Sequence, residues 1–276
     1  MSFGSRLRVL TATGPVVCLG LDPHPQILRA WGCDDSGSGL AHWSAMVLEA
    51  LEEAQPSVVK PQVALFERQG LSGMQSLATL LAGLREKNIL IVGDAKRGDI
   101  GSTMRAYAEA WLTPGKDFEV DALTLNPYLG LGSLEPALEL CQEHEKGAFV
   151  LCATSNPEAQ VMQRARRSKG LTLAAGVAYD LAQWIEARPT ADAALCGLVV
   201  GATVNQADTG LDLSRYPNMP ILAPGFGAQG ALLDQAVQYF PHSTSVVATV
   251  SRSVLEGPFA GLAARFQKAC FEVQPS

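Results

Sequence analysis

The sequence lacks the patterns that mark membrane-spanning and secreted proteins. No apolar run reaches the roughly 18 residues that a membrane-spanning helix needs. The first residues, 1–6, have neither the apolar core nor the small-residue cleavage site of a signal peptide. These features predict a cytoplasmic protein with no membrane partner.

Cysteine and histidine are few, and their spacing is not that of a metal site or a disulfide framework. The six cysteines contain no C-x-x-C pair, and the four histidines form no H-x-x-H or H-E-x-x-H cluster. Cys18, Cys152 and Cys196 lie inside apolar runs, which indicates buried free thiols. We therefore expect no disulfides and no metal.

An excess of positive charge is also missing. The chain has 21 Lys and Arg against 27 Asp and Glu, a formal net charge of −6. Because nucleic-acid-binding proteins normally carry a basic excess, nucleic acid is not an expected partner, although a local anion site is compatible with this balance. What the sequence does have is length and apolarity: 276 residues, 47% hydrophobic, are ample for one large core.

Eight short apolar segments recur along the chain, and nearly all of them end on polar residues. Between several of these segments, and after the last one, stretches with the spacing of helices occur. They lie at about 40–53, 72–84, 103–111, 133–143, 157–187 and 257–271. This alternation predicts an α/β protein, a (β/α)8 (TIM) barrel formed as one domain by residues 1–276. A doubly wound open sheet is the alternative, but it would gather its polar residues at one switch point. The predicted strands are 16–21, 57–59, 88–92, 120–125, 147–152, 198–200, 220–223 and 245–250.

The third predicted strand leads into the most charged stretch of the chain. If the strand continues, Asp94 and Lys96 lie on the same side, because side chains alternate along a strand. Asp99 follows shortly after, and such charges near a core must stabilise one another. The alternative is a solvated turn with incidental charges. Ser102 and Thr103 are candidates to cap the helix that follows.

In a barrel, the carboxyl ends of all strands meet around one pocket. Asp22, Lys60, Asp94 and Lys96 end strands one to three, so they are predicted neighbours there. Alternating opposite charges keep each lysine cationic and each carboxylate ionised. The alternative is a salt-bridge network that only makes the barrel mouth rigid.

A glycine-rich run at 225–230 and an arginine, Arg252, follow strands seven and eight. Loops at these positions commonly bind phosphate in barrels; glycine lets backbone N–H groups approach an anion at a helix start, and arginine adds a two-pronged donor. The run also fits G-x-G-x-x-G, but it lies at strand seven and lacks the later acid of a dinucleotide site. A tight turn is the simpler alternative. The residues thus predict a barrel enzyme acting on a phosphorylated small molecule.

Small polar residues end strands four and five. Ser155 lies between Thr154 and Asn156, where it could hydrogen-bond the polar edge of a ligand or cap a helix before Pro157. Asn126 and Tyr128 after strand four are open to the same two interpretations.

The run D-A-K-R-G-D-I at 94–100 resembles the orotidine 5′-phosphate decarboxylase family. The resemblance covers most of the chain, and the K-P-Q and N-P-Y segments resemble the longer, bacterial-type branch. Its other segments are L-D-P at 21–23, V-K-P-Q at 59–62, N-P-Y-L-G at 126–130, T-S-N-P at 154–157, P-G-F-G-A-Q-G at 224–230 and S-R-S at 251–253.

The resemblance implies decarboxylation of orotidine 5′-phosphate to uridine 5′-phosphate and CO2, the last step of de novo UMP synthesis, without a cofactor. Lys96 would protonate C6 of the pyrimidine, and Asp94 would lie beside the substrate carboxylate and hold Lys96 in place. Lys60 and Asp22 would bind the ribose hydroxyls. Loss of CO2 leaves a carbanion, which a nearby ammonium group stabilises and then protonates.

The resemblance also implies a homodimer with shared active sites. Asp99, Ile100 and Thr103 would reach the site of the neighbouring subunit. The other implied substrate contacts are Ser155 at the pyrimidine edge, and Gln229 and Arg252 at the phosphate with Pro224 nearby.

The residues themselves leave three other functions possible. A Schiff-base aldolase could use Lys60 or Lys96, but it needs a lowered lysine pKa, whereas neighbouring carboxylates raise it. A barrel enzyme acting on a keto-sugar phosphate through a metal enediolate would need oxygen ligands for magnesium. A non-catalytic nucleotide-binding barrel would keep Arg252 but would lose a charged residue on strand three, and here that set is intact.

Overall fold

Eight parallel strands form a closed barrel in the computed structural model, which describes residues 1–167, 170–188 and 196–274. The strands pair in chain order, and β1 pairs with β8 from Val16 opposite Val247. This closure confirms the predicted (β/α)8 fold and rules out the open sheet. The strands are β1 (Val16–Leu21), β2 (Val58–Pro61), β3 (Leu90–Arg97), β4 (Ala122–Leu125), β5 (Gly147–Ala153), β6 (Cys196–Val200), β7 (Ile221–Pro224) and β8 (Val246–Val250).

The longest helices lie in the first half of the barrel, and those after β6 and β7 are short. Within the described ranges they are α1 (Phe3–Leu10), α2 (Pro25–Ala30), α3 (Gly37–Ala54), α4 (Ala64–Glu67), α5 (Gly70–Glu86), α6 (Gly101–Leu112), α7 (Glu135–Glu143), α8 (Ala159–Gln163), α9 (Leu173–Glu186), α10 (Gln206–Thr209), α11 (Ala236–Tyr239), α12 (Arg252–Leu255) and α13 (Leu262–Glu272). None of these helices is both long and apolar enough to cross a bilayer.

The amino-terminal end of the barrel is closed by α1, which the sequence analysis did not predict. Phe3 packs edge-on against Phe149 of β5, with ring centroids 6.0 Å apart, and its backbone N–H donates to Glu145. Leu7 is fully buried among the inward-facing strand residues. Because α1 fills the barrel interior at this end, a ligand can reach the interior of the barrel only from the opposite end.

Two helix predictions are wrong in detail. Region 157–187 is not helical throughout, because α8 ends at Gln163 and α9 begins only after Thr172, whose hydroxyl accepts the Ala175 N–H. Residues 168 and 169 of that region lie outside the described residues. The glycine run at 225–230 does not open a helix directly, since a 3-10 turn at Leu233–Gln235 precedes α11.

The prediction of free thiols is confirmed. All six cysteines are unpaired, and Cys18, Cys33, Cys141, Cys152 and Cys196 are buried. Across the described ranges, no group of three or more His, Cys, Asp and Glu side chains is arranged to bind a metal ion.

Candidate active site at the carboxyl-terminal end of the barrel

A cavity of about 360 Å³ lies where the carboxyl ends of the strands meet. Polar residues from the ends of strands that are far apart in the chain line it, as the barrel prediction requires. Eight of the predicted site residues are among them: Asp22, Lys60, Asp94, Lys96, Ser155, Pro224, Gln229 and Arg252.

A larger cavity, of about 770 Å³, lies at the opposite end of the barrel. Its basic side chains are already engaged: Lys87 pairs with Glu52, and Arg6 donates to the Asn88 carbonyl and lies 3.5 Å from Asp121. In barrels this end contributes stability, whereas chemistry occurs at the carboxyl ends of the strands. The smaller cavity is therefore the candidate site.

Asp94 is the centre of a hydrogen-bonded cluster on one side of the cavity. Its Oδ2 accepts from Lys60 Nζ at 2.7 Å and from Gln62 Nε2 at 3.1 Å. Its Oδ1 accepts from Lys96 Nζ at 2.6 Å and from Thr124 Oγ1 at 3.0 Å. We call these five residues the Asp–Lys wall. With Asp94 8% and Lys60 5% exposed, this is a buried ionic cluster, and the alternative of a solvated turn is wrong.

The charges of this wall are stabilised by one another. Burial alone would raise the pKa of Asp94, but attraction to Lys60 and Lys96 outweighs it and holds that pKa well below its usual range. Burial alone would lower the pKa of Lys60, but Asp94 and Asp22 outweigh it and raise that pKa above its ordinary value. The wall thus keeps Asp94 ionised and Lys60 protonated.

The backbone at Lys96 is unusual. Lys96 has a φ of +47°, in the left-handed region that non-glycine residues rarely adopt, and the register between β3 and β4 shifts between Gly93 and Arg97. The Lys96 N–H donates to Thr124 Oγ1 at 2.9 Å. The ion pair between Asp94 and Lys96 confirms that both side chains lie on the same side of the strand. The irregular backbone at the strand end, and not regular alternation along the strand, brings them together. The Lys96 side chain, 45% exposed, reaches the open cavity.

Arg97 fixes the same strand end from outside the cavity. Its guanidinium pairs with Glu67 and lies 5.6 Å from the ring centre of Tyr107 and 5.9 Å from that of Trp111. Its backbone carbonyl accepts from the Asn126 N–H at 2.8 Å. The sequence analysis gave Arg97 no role.

Asp99, Ile100 and Thr103 lie outside the cavity of their own chain. Asp99 Oδ1 accepts the Ile100 N–H at 2.8 Å, and no contact with Lys96 is found in the described part of the chain. Ile100 is 62% exposed, and Thr103 is exposed. The predicted cap by Ser102 or Thr103 is wrong, because α6 begins at Gly101 after an extended Ile100 and both residues lie in its first turn.

The other side of the cavity is built from the loops after β7 and β8. Arg252 begins α12, and its guanidinium pairs with no carboxylate among the described residues. Gly227 has a φ of +73°, and a Cβ there would lie 2.8 Å from Ser253 Oγ, so the turn requires glycine. We call the loop 225–230, which contains Gln229, and Arg252 together the anion wall.

Ser155 lies in the loop after β5 and contacts the anion wall. Its hydroxyl donates to Gln229 Oε1 at 3.1 Å, which joins the loop after β5 to the anion wall. Ser155 is not a helix cap, since α8 begins at Ala159 after Glu158. Asn126, in contrast, forms a local turn, because its Oδ1 accepts the Tyr128 N–H at 3.1 Å, and neither residue lines the cavity.

Several functional candidates were missed by sequence reasoning. Gln62 was noted only as part of a family segment, and Thr124 was not singled out, although it is the one polar residue of β4. Thr249 was not singled out either, and Ser251 was noted only with Arg252. The hydroxyl oxygens of both residues, like Oδ1 of the predicted Asp22, are buried, line the cavity and have no hydrogen-bond partner in the described ranges. Buried polar groups normally have partners, so these three atoms favour a polar ligand.

Comparison with known proteins gives one consistent result. Residues 15–264 match the model of the orotidine 5′-phosphate decarboxylase / HUMPS family. The chain is 47% identical over 257 residues to the orotidine 5′-phosphate decarboxylase of Salinispora tropica, covering 92% of this chain and 90% of the relative. It is 42% identical to that of Corynebacterium efficiens, covering 94% and 92%. A crystal structure assigned as this enzyme from Streptomyces avermitilis superposes with a TM-score of 0.89 at 42% identity, covering 99% of this chain and 94% of the other.

Proposed function

The chain belongs to the orotidine 5′-phosphate decarboxylase / HUMPS family, and we propose that it decarboxylates orotidine 5′-phosphate with Lys96 as the proton donor. The enzyme is a carbon–carbon lyase of pyrimidine biosynthesis. In the step itself, the bond from C6 to the carboxylate breaks and CO2 leaves. The electron pair stays on C6, takes a proton from the Lys96 ammonium group and gives uridine 5′-phosphate; lysine then regains a proton from water.

The observation that carries this proposal is the Lys96 ammonium group, which lies 2.6 Å from Asp94 and reaches the open cavity. A positive charge fixed before the reaction stabilises negative charge as it develops at C6, and no dipole has to reorganise at that moment. It acts on the transition state more than on the substrate, so it raises the rate and not only the affinity. The same group is an acid within reach of C6.

The remaining cavity residues have distinct roles in this proposal. Asp94 lies beside the substrate carboxylate and holds Lys96, while Lys60 and Asp22 bind the ribose hydroxyls. Ser155 binds the pyrimidine edge. The phosphate is bound by the anion wall, where Gln229 and Arg252 are placed with Pro224 nearby.

We further propose a homodimer in which Asp99, Ile100 and Thr103 complete the site of the neighbouring subunit. All three are near one another at the start of α6, outside their own cavity, and Ile100 exposes a large apolar side chain. Sedimentation of the purified protein would detect the dimer. A cytoplasmic location stays a prediction.

A Schiff-base mechanism is less compatible with the site. It requires a lysine that is neutral near physiological pH, which means a lowered pKa. The pKa of Lys60 is raised, and Lys96 is paired with Asp94. A metal-dependent reaction is separated from the proposal by including EDTA in the assay.

The decisive experiment follows the ultraviolet absorbance of orotidine 5′-phosphate with EDTA present throughout. It compares the wild type with Lys96→Ala and with the control Lys87→Ala, a surface lysine paired with Glu52 at the other end of the barrel. We expect turnover by the wild type and the control, and a loss of at least about a thousandfold in Lys96→Ala.

Three results would contradict the proposal. Comparable turnover by Lys96→Ala would remove lysine from the chemistry. No turnover by the wild type, despite binding of uridine 5′-phosphate, would favour the non-catalytic nucleotide-binding barrel, and no nucleotide binding would favour a sugar phosphate.

A further inference from the structure

We propose that Thr124 is a positioning residue that sets the place of the Lys96 ammonium group relative to Asp94. The expected effect of Thr124 on catalysis rests on the proposed function, but its effect on the position of the Lys96 ammonium group does not. Thr124 lies on β4 and is 1% exposed, at the wall of the cavity among the apolar side chains of Leu151, Val199 and Leu222. A hydroxyl in such surroundings is costly unless it is fully hydrogen-bonded.

The Thr124 hydroxyl bridges the two residues that it positions. It accepts from the Lys96 backbone N–H at 2.9 Å and lies 3.0 Å from Asp94 Oδ1. A hydroxyl has one proton to donate, and the other acceptor near it, the Gly93 carbonyl, is 3.5 Å away. The shorter, charged acceptor is preferred, so the hydroxyl donates to Asp94 and accepts from Lys96.

This bridge lies at the one point where the strand is irregular. The left-handed φ of Lys96, +47°, is unfavourable for a residue with a side chain. Such a conformation persists only where its surroundings fix it. The Thr124 oxygen fixes the Lys96 amide directly, while Arg97 is fixed one residue later by its pairing with Glu67.

Without the Thr124 oxygen, the Lys96 N–H would lose its partner. The peptide could then relax toward a regular strand and move the ammonium group away from its place beside Asp94. A displacement of about 1 Å can reduce a rate by about a hundredfold, even when the displaced group is chemically unchanged. Because the anion wall is on the other side of the cavity, substrate affinity should change little.

The test compares Thr124→Val, which keeps the shape and removes the oxygen, with Thr124→Ser, which keeps the oxygen. The control is Thr11→Val: Thr11 is also buried and its hydroxyl also makes two hydrogen bonds, to Leu7 and Ser245, but at the closed end of the barrel. We expect kcat to fall about 30-fold or more in Thr124→Val with KM within about threefold. Thr124→Ser and Thr11→Val should keep kcat within about threefold of wild type.

A Thr124→Val protein with wild-type kcat would overturn the proposal, and so would a Thr124→Ser protein that loses as much activity as the valine variant. If Thr124→Val does not fold, Thr124→Ala takes its place, with the same expectation.

Amide hydrogen exchange at Lys96 gives a readout that does not depend on any substrate. We expect exchange at Lys96 to be at least about tenfold faster in Thr124→Val than in the wild type and Thr124→Ser, since the hydrogen bond is lost. Equal exchange in all three proteins would overturn the positioning role. If the wild type shows no turnover, the proposed function fails, and this measurement still decides the role of Thr124.

Discussion

The two walls of the cavity differ in how far their polar groups are already partnered within the protein. On the Asp–Lys wall, Asp94 accepts four hydrogen bonds, and Lys60 and Lys96 are both paired with it. On the anion wall, Arg252 has no carboxylate partner in the part of the chain that the structure describes, and Gln229 is held only from one side, by Ser155.

This difference corresponds to two kinds of task. Groups that act on the reacting carbon gain most when their positions are fixed in advance, because no energy is then spent on reorganisation in the transition state. Groups that bind a charged ligand gain most when their own charge is still uncompensated, since the ligand then supplies the missing partner. Changes on the first wall should therefore alter kcat, and changes on the second should alter substrate affinity.

The largest effect is expected from Asp94→Asn. The substitution removes the negative charge that both lysines share, so that Lys96 loses its paired carboxylate and buried Lys60 keeps only Asp22 as a counter-charge. We expect kcat for orotidine 5′-phosphate to fall by about a thousandfold, because Lys96 loses its anchor. Steady-state kinetics, together with circular dichroism to verify folding, measure this.

Asp121→Asn is the matched control. Asp121 is a partly buried acid at the opposite end of the barrel, where it accepts the Ile91 N–H at 2.8 Å. Its substitution should leave kcat unchanged. Equal losses in both variants would show that Asp94 acts through stability alone.

A smaller effect with a different signature is expected from Arg252→Ala. Loss of a charge-assisted, two-pronged contact with phosphate should reduce kcat/KM by about a hundredfold, mainly through KM. With orotidine, which has no phosphate, the variant should match the wild type, whereas Asp94→Asn should be impaired on both substrates. Arg215→Ala, a surface arginine stacked on Tyr216, is the control. An equal loss on both substrates would contradict the assignment of Arg252 to the phosphate.

The smallest effect concerns stability in acid. Because the pKa of Asp94 is well below its ordinary value of about 3.9, its carboxylate stabilises the folded state at pH values above about 4. This contribution is lost as the pH falls from about 4 toward the lower pKa of the folded state. The free energy of unfolding should thus fall more steeply with acidification in the wild type than in Asp94→Asn, by up to about 1.4 kcal/mol per pH unit. Urea unfolding between pH 5 and about pH 2 measures both slopes, and equal slopes would contradict a lowered pKa.

Most of the barrel could be predicted from the sequence because its signals are local. Each strand is a short apolar run followed by polar residues, and parallel strands buried on both faces have this pattern whatever their neighbours are. The convergence of Asp22, Lys60 and Asp94 then followed from the geometry of any closed barrel. The helices were predicted less well: α1 was missed, and 157–187 was predicted to be helical throughout, although Ser2 and Thr172, which cap α1 and α9, are start signals that the sequence offers.

The sequence by itself thus determined the order of strands and the identity of the charged residues around the cavity. Only the tertiary structure decided how those charges meet. The left-handed backbone of Lys96, its bond to Thr124 and the place of Arg252 in the cavity all depend on how segments far apart in the chain pack together. A local pattern records which residues face a core, but a hydrogen bond between two strands exists only once their register is fixed.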